Sequence, residues 1–182
     1  MAPTLPAAAL TIWMTGLPCS GKTTLAGRLR DRLAADGALV RVLDGDHLRQ
    51  GLSRDLGFSA ADRTENIRRV AEVARLFNEV GVTVISALVS PMRSDRAMAR
   101  AIVGADRFLE VYLDAPRTIC EARDVKGMYA LARKGRIAGF TGVDAPYEAP
   151  ESAHCVLDTG RATPEDCLEQ LRGCLARHAP GR

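Results

Sequence analysis

Eight consecutive residues, Gly16-Leu17-Pro18-Cys19-Ser20-Gly21-Lys22-Thr23, set two glycines, an ammonium and a hydroxyl at the spacing of a phosphate-binding loop. Glycines let the backbone bend so that several N–H groups converge on one concave nest. A helix starting at the lysine adds unpaired N–H groups and the positive end of its dipole. Lys22 would neutralise the β- and γ-phosphates of a nucleoside triphosphate, and the Thr23 hydroxyl would ligate Mg²⁺. Gly16 to Thr24 are therefore the triphosphate-binding candidates. The pattern alone also fits a glycine turn with a solvated lysine. The flanks argue against that turn: Leu10 to Met14 reads as a short buried strand, and Leu25, Leu29 and Leu33 recur at helical spacing.

Two carboxylates, Asp44 and Asp46, sit where a second strand (Leu39, Val40, Val42, Leu43) ends. Ligands of open α/β sheets bind at that end. Phosphoryl transfer needs anionic groups near Mg²⁺ and a group to take the acceptor's proton. Gly45 lets the chain turn so that both carboxylates can face one cleft; a solvated Asp-Gly-Asp turn is the alternative. Arg49, Arg63, Arg68 and Arg69, interleaved with Phe58 and Asn66, offer forked donors for phosphate or sulfate oxygens and a ring to cover a base. An ordinary cationic helix face fits these arginines equally well. The segment Asp124 to Pro150 carries four glycines with Lys126, Arg133, Lys134 and Arg136. It is too long for a simple connector and reads as a basic flap with some helix of its own.

The elements that must position these groups alternate. A short helix begins at His47-Leu48-Arg49-Gln50-Gly51-Leu52. Ser59 and Asp62 are both N-cap candidates for a helix with an apolar stripe at Ile67, Val70, Val73, Ala74 and Phe77, stopped by Gly81. Val82 to Val89 reads as a buried strand ending at Ser90-Pro91, and Ser94 to Ile102 as a helix. Phe108 to Leu113 is a fourth strand, with Pro116 at the first position of a helix running to about Arg123. Cys155 to Leu157 is a fifth strand, and a last helix spans roughly 164 to 178. Strands alternating with helices predict a parallel α/β sheet with right-handed crossovers.

The 182 residues suit one domain, with 47% hydrophobic and 26% charged residues. A net charge of +3 and 4% aromatics give no footprint for nucleic acid. Five cysteines without a Cys-x-x-Cys pair, and three histidines, disfavour zinc and suit free thiols in a reducing cytoplasm. Cys19 reads as a small space-filling residue of the loop rather than a redox sensor. No apolar run approaches the length of a membrane span, so no membrane partner is expected. Residues 1–9 are Pro/Ala-rich and read as a flexible N-terminal tail, leaving 10–182 as the single domain, with a lid at about 124–150.

Taken together, these stretches resemble the adenylylsulfate kinase (APS kinase) family. The resemblance is carried by the loop after Ile12-Trp13-Met14-Thr15, Asp44-Gly45-Asp46, Gly57-Phe58-Ser59 and Asp62 to Ala74. It continues through Ser90-Pro91, Asp95-Arg96, Glu110 to Pro116, Arg123-Asp124-Val125-Lys126-Gly127 and Phe140-Thr141-Gly142, covering about residues 10 to 160. It implies a P-loop NTPase fold of nucleotide-kinase type: three α/β/α layers, a five-stranded mainly parallel sheet and a basic lid. It also implies transfer of the γ-phosphate of MgATP to the 3′-hydroxyl of adenosine 5′-phosphosulfate (APS), giving 3′-phosphoadenylyl sulfate (PAPS) and ADP in sulfate assimilation. A homodimer is implied, and association with a sulfate adenylyltransferase is a further expectation.

By position, the resemblance assigns the acceptor to Asp46, Arg49, Phe58, Arg63, Asn66, Val89, Ser90, Lys126, Gly139 and Phe140. Phe58 and Phe140 would sandwich its adenine, and Arg123 would lie by the adenine of ATP. Catalysis falls to Lys22, to Asp46, which orients or deprotonates the 3′-hydroxyl, and to Asp44, acting through Mg²⁺ and its waters. The family also has a phosphoserine assignment at the position of Ser90; a contact role is preferred here, because in-line transfer needs no such intermediate. Three departures stand out: Pro18 and Cys19 where Ser, Gly or Ala are usual, His47 for Asn, and Leu88-Val89 for a bulkier pair. They leave a kinase for another small hydroxyl acceptor, or a non-catalytic nucleotide-binding subunit, as rival readings.

Overall fold

The computed structural model describes residues 9–178. The expected N-terminal tail, except residue 9, lies outside the described residues. Five strands, β1 (Thr11–Thr15), β2 (Val40–Asp44), β3 (Thr83–Ala87), β4 (Phe108–Asp114) and β5 (Cys155–Asp158), form one sheet in the order β2-β3-β1-β4-β5. Every pairing is parallel. All five carboxyl ends therefore open on one edge. The chain leaves β1 toward one side and returns on the other, which places the loop after β1 at the switch point of the sheet.

Alternation along each strand assigns the two faces. Ile12 and Met14 of β1, Ile85 of β3, and Leu109, Val111 and Leu113 of β4 pack against α1 (Lys22–Ala35) and α7 (Pro164–His178). Their counterparts Trp13, Val84 and Phe108 pack against α3 (Ala60–Glu79) and α4 (Arg93–Val103). Both faces are covered, as a parallel sheet requires. α1 contributes Leu25, Leu29 and Leu33 to its face, the stripe read from the sequence.

Several boundaries differ from expectation, each for a local reason. The second helical turn is α2 (Gly45–Leu48), shorter and earlier than His47 to Leu52, because the Asp44 carboxylate accepts the Asp46 N–H and caps it. Ser59 rather than Asp62 caps α3: its Oγ accepts the Asp62 N–H and donates to the Asp62 carboxylate. β3 stops at Ala87, so Leu88 and Val89 leave the sheet; the Val89 carbonyl is taken by Thr15 Oγ1 at 2.7 Å. Pro116 is the cap of α5 (Arg117–Ala122), not its first residue; its ψ of 140° is extended, and its carbonyl accepts from Ile119 and Cys120. α6 (Met128–Arg133) is the helix expected inside the 124–150 segment.

Leu29 is fully buried between α1 and the sheet. Leu29→Ala should lower unfolding free energy by about 2–5 kcal/mol in a denaturant titration, and a loss well under 1 would contradict this packing.

Candidate functional site

The turn after β1 is built by two glycines in conformations other residues avoid. Gly16 has φ +152°, and a Cβ there would lie 2.7 Å from the Leu113 carbonyl. Gly21, at φ +99°, opens α1. Cys19 also takes positive φ, at +62°. Inside the turn, Lys22 Nζ donates to the carbonyls of Gly16 (2.9 Å) and Leu17 (2.7 Å) and to Ser20 Oγ (3.3 Å). Burial pushes the Lys22 ammonium down to about 8.

Thr23 Oγ1 donates to Asp44 Oδ2 at 2.7 Å, and Asp44 Oδ1 accepts the Asp46 N–H at 3.0 Å. The strand tip is thereby tied to the first turn of α1. Thr23 and Asp44 offer hard oxygens side by side at the mouth of the loop, a donor set that suits Mg²⁺ completed by waters and phosphate. No cluster of three His, Cys, Asp or Glu fit for a metal occurs among the described residues.

These groups line one cavity of about 640 Å³. Pro18, Cys19, Lys22, Thr23 and Thr24 form one wall; Asp46, Arg49, Phe58, Arg63 and Asn66 form another. Val89, Ser90, Arg123, Lys126 and Phe140 also line it. Gly16 and Ser20 are buried beneath the loop and, with Leu17, do not line the cavity; Gly139 stands behind it, its carbonyl accepting from Arg63 at 2.7 Å.

The arginines divide. Arg49 and Arg63 lie over the exposed Phe58 ring, at 4.5 and 5.6 Å from its centroid, and line the cavity. Arg68 and Arg69 do not: Glu65 takes both, and Asp55 takes Arg69 in a fork at 2.7 and 2.8 Å. Half of the expected cluster is therefore the cationic helix face that was its alternative. The 124–150 segment divides likewise. Lys126 reaches across to Asp46 at 2.5 Å, whereas Arg133 pairs with Glu121 and, with exposed Lys134 and Arg136, stays off the cavity.

Burial sets the remaining contacts. Asn66 Oδ1 is buried on the cavity wall with no hydrogen-bond partner among the described residues. Such a group costs free energy unless a ligand donates to it. Ser90, at φ +37°, is 2% exposed, and its Oγ accepts from Trp13 Nε1 at 3.1 Å. Sequence reasoning missed two supports. Asp144 binds the N–H groups of Gly139 (2.7 Å) and Phe140 (2.6 Å), which holds its carboxyl below the usual range. Tyr129 packs edge-on to Phe140 at 4.9 Å and donates to the Pro18 carbonyl at 3.1 Å. An acidic residue four positions after Phe140 was a readable signal; the Tyr129 contact, 111 residues away in sequence, was not.

This sheet order, loop and cavity define a P-loop kinase of α/β/α architecture. The family model for adenylylsulphate kinase matches residues 8–158. The adenylyl-sulfate kinase of Bacillus licheniformis is 52% identical over 160 residues, covering 88% of this chain and 81% of that one. The Mycobacterium tuberculosis APS kinase, solved in complex with AMPPNP and APS, superposes with a TM-score of 0.88 at 42% identity, covering 93% of this chain and 99% of that chain. A gluconokinase from Sinorhizobium meliloti shares the fold alone, at 17% identity and a TM-score of 0.63. The chain belongs to the adenylylsulphate kinase family.

A lysine lowered to about 8 is charged at neutral pH and loses its proton above that value. A triphosphate in this loop would favour the charged form, so ATP affinity of the protein should fall above pH 8, by up to about tenfold per pH unit. Calorimetric titration from pH 6.5 to 9.5 checks this; an affinity that does not change across that range would contradict it.

Proposed function

We propose that the protein transfers the γ-phosphoryl group of MgATP to the 3′-hydroxyl of APS, releasing PAPS and ADP. The observation that carries this reading is the single cavity shared by the phosphate loop and the Asp46–Arg49–Phe58 wall. Donor and acceptor can meet there without a relay. Membership of the family supplies the choice of acceptor.

Each residue has a role. The backbone N–H groups of residues 16–24, Pro18 having none, cradle the triphosphate, and Lys22 turns from the loop carbonyls to the β- and γ-phosphate oxygens. Thr23 Oγ1 and, through water, Asp44 hold Mg²⁺, which supplies charge neutralisation to the phosphates when bound. Arg123 flanks the adenine of ATP. Asp46 aligns the acceptor hydroxyl and takes its proton, sharing its carboxylate with Lys126. Arg49, Arg63 and Asn66 Oδ1 receive the nucleotide, and Phe58 and Phe140 enclose its base. Ser90 serves as a contact beside Val89; its oxygen accepts the Trp13 indole N–H, and a covalent intermediate would need a base to take the hydroxyl proton.

Residues 10–182 act as one domain, with 124–150 as the lid that closes on the nucleotides and excludes water. The same reading makes the protein a cytoplasmic homodimer in sulfate assimilation, supplied with APS by a sulfate adenylyltransferase. No helix among the described residues is long and apolar enough to cross a membrane.

A coupled assay of ADP release with APS, gluconate and shikimate as acceptors tests the reading. Turnover is expected with APS alone; turnover with either rival and none with APS would overturn it, as would ATP binding without turnover. Asp46→Asn should lower kcat by about 10²–10⁴-fold while leaving ATP affinity within about twofold, and an unchanged kcat would remove Asp46 from proton transfer.

A further inference from the structure

Arg96 is 3% exposed, yet it carries no role in the chemistry described above. Its guanidinium spends its donors on three separate parts of the chain. Nε donates to Glu110 Oε1 of β4 at 2.7 Å. Nη1 donates to the carbonyls of Ser90 (2.8 Å) and Pro91 (3.2 Å) on the cavity wall. Nη2 donates to the Glu148 carbonyl, at the trailing end of the 124–150 segment, at 2.7 Å.

The wall it grips needs holding. Ser90 is a non-glycine residue in the left-handed region, at φ +37°, a conformation that persists only where its surroundings over-determine it. Thr15 Oγ1 secures the same turn from β1, bonding the Val89 carbonyl at 2.7 Å and Tyr147 Oη at 3.0 Å. Pro91 returns a bond through its carbonyl, which accepts the Glu148 N–H at 2.9 Å. The wall beside the acceptor and the end of the 124–150 segment thus meet on one planar cation, charge-balanced by Glu110. None of its contacts touches the phosphate loop.

We propose that Arg96 is a positioning residue for the acceptor nucleotide: it sets the Val89–Pro91 wall and couples that wall to closure of the 124–150 segment, leaving the triphosphate side unaffected. This rests on the reading that this wall faces the acceptor. A guanidinium suits the task because its planar fork serves several acceptors in fixed directions, which an ammonium cannot reproduce.

The test is Arg96→Lys, which keeps the charge opposite Glu110 and loses the fork. KM for APS should rise by about tenfold, while the Kd of a non-hydrolysable ATP analogue stays within about twofold. An unchanged KM for APS, or parallel loss of APS and ATP affinity together with a lowered Tm, would overturn the proposal and leave Arg96 a scaffold residue. If Arg96→Lys does not fold, Glu110→Gln decides: its amide oxygen still accepts from Nε but no longer balances the charge. A selective rise in KM for APS then supports the proposal, and none overturns it. The unmodified protein is assayed first. Absence of APS turnover there takes down the proposed function and this inference together, whereas normal turnover with an unshifted variant removes only the inference.

Discussion

The bond from Thr23 Oγ1 to Asp44 Oδ2 joins the helix that follows the phosphate loop to the tip of β2. Everything at the cavity is referred to it. The second oxygen of the same carboxylate accepts the Asp46 N–H and starts α2, so one side chain relates the loop after β1 to the Asp46 carboxylate on the cavity wall. The parallel sheet makes this short connection available. β3 lies between β1 and β2, yet the carboxyl ends of all three strands reach one edge, and α1 brings Thr23 across to the tip of β2. An antiparallel arrangement would send alternate strand ends to opposite edges of the sheet.

The Val89–Pro91 wall is held differently, by buried polar contacts. Trp13 Nε1, Thr15 Oγ1 and the Arg96 guanidinium converge on the turn from Val89 to Pro91. Trp13 and Thr15 project from the face of β1 opposite to Ile12 and Met14. The strand that leads into the phosphate loop therefore also braces the wall facing it. Low exposure strengthens these bonds and raises the cost of breaking any of them. The geometry also bears on Ser90. A nucleophilic serine needs a neighbouring base to take its proton, whereas Ser90 is buried and its oxygen receives an indole N–H.

Local patterns in the chain carried much of this. The Gly16–Thr23 spacing, the leucine stripe of α1 and the Asp44–Asp46 pair are short-range signals, and each stands where the sequence places it; the α3 cap was legible only as Ser59 or Asp62. What was not legible depends on distance or on competition. Arg63 and Arg69 look alike in sequence; Arg63 turns to the cavity, while Asp55 and Glu65 claim Arg69. The basic residues after Lys126 suggested a charged flap, but Glu121 draws Arg133 away. Pro116 satisfied the rule for a first helical residue, yet its extended ψ makes it the cap. The Arg96 network joins residues 5 to 52 positions apart, and no periodicity encodes it.

The central claim is that one cavity brings the two substrates together and the phosphoryl group passes between them directly. Its most direct measurement is the stereochemical course at phosphorus, using ATP made chiral at the γ-position with oxygen isotopes and sulfur, and APS as acceptor. A single in-line transfer predicts inversion of configuration in the product. Retention would require two transfers through an intermediate on the protein and would contradict the account.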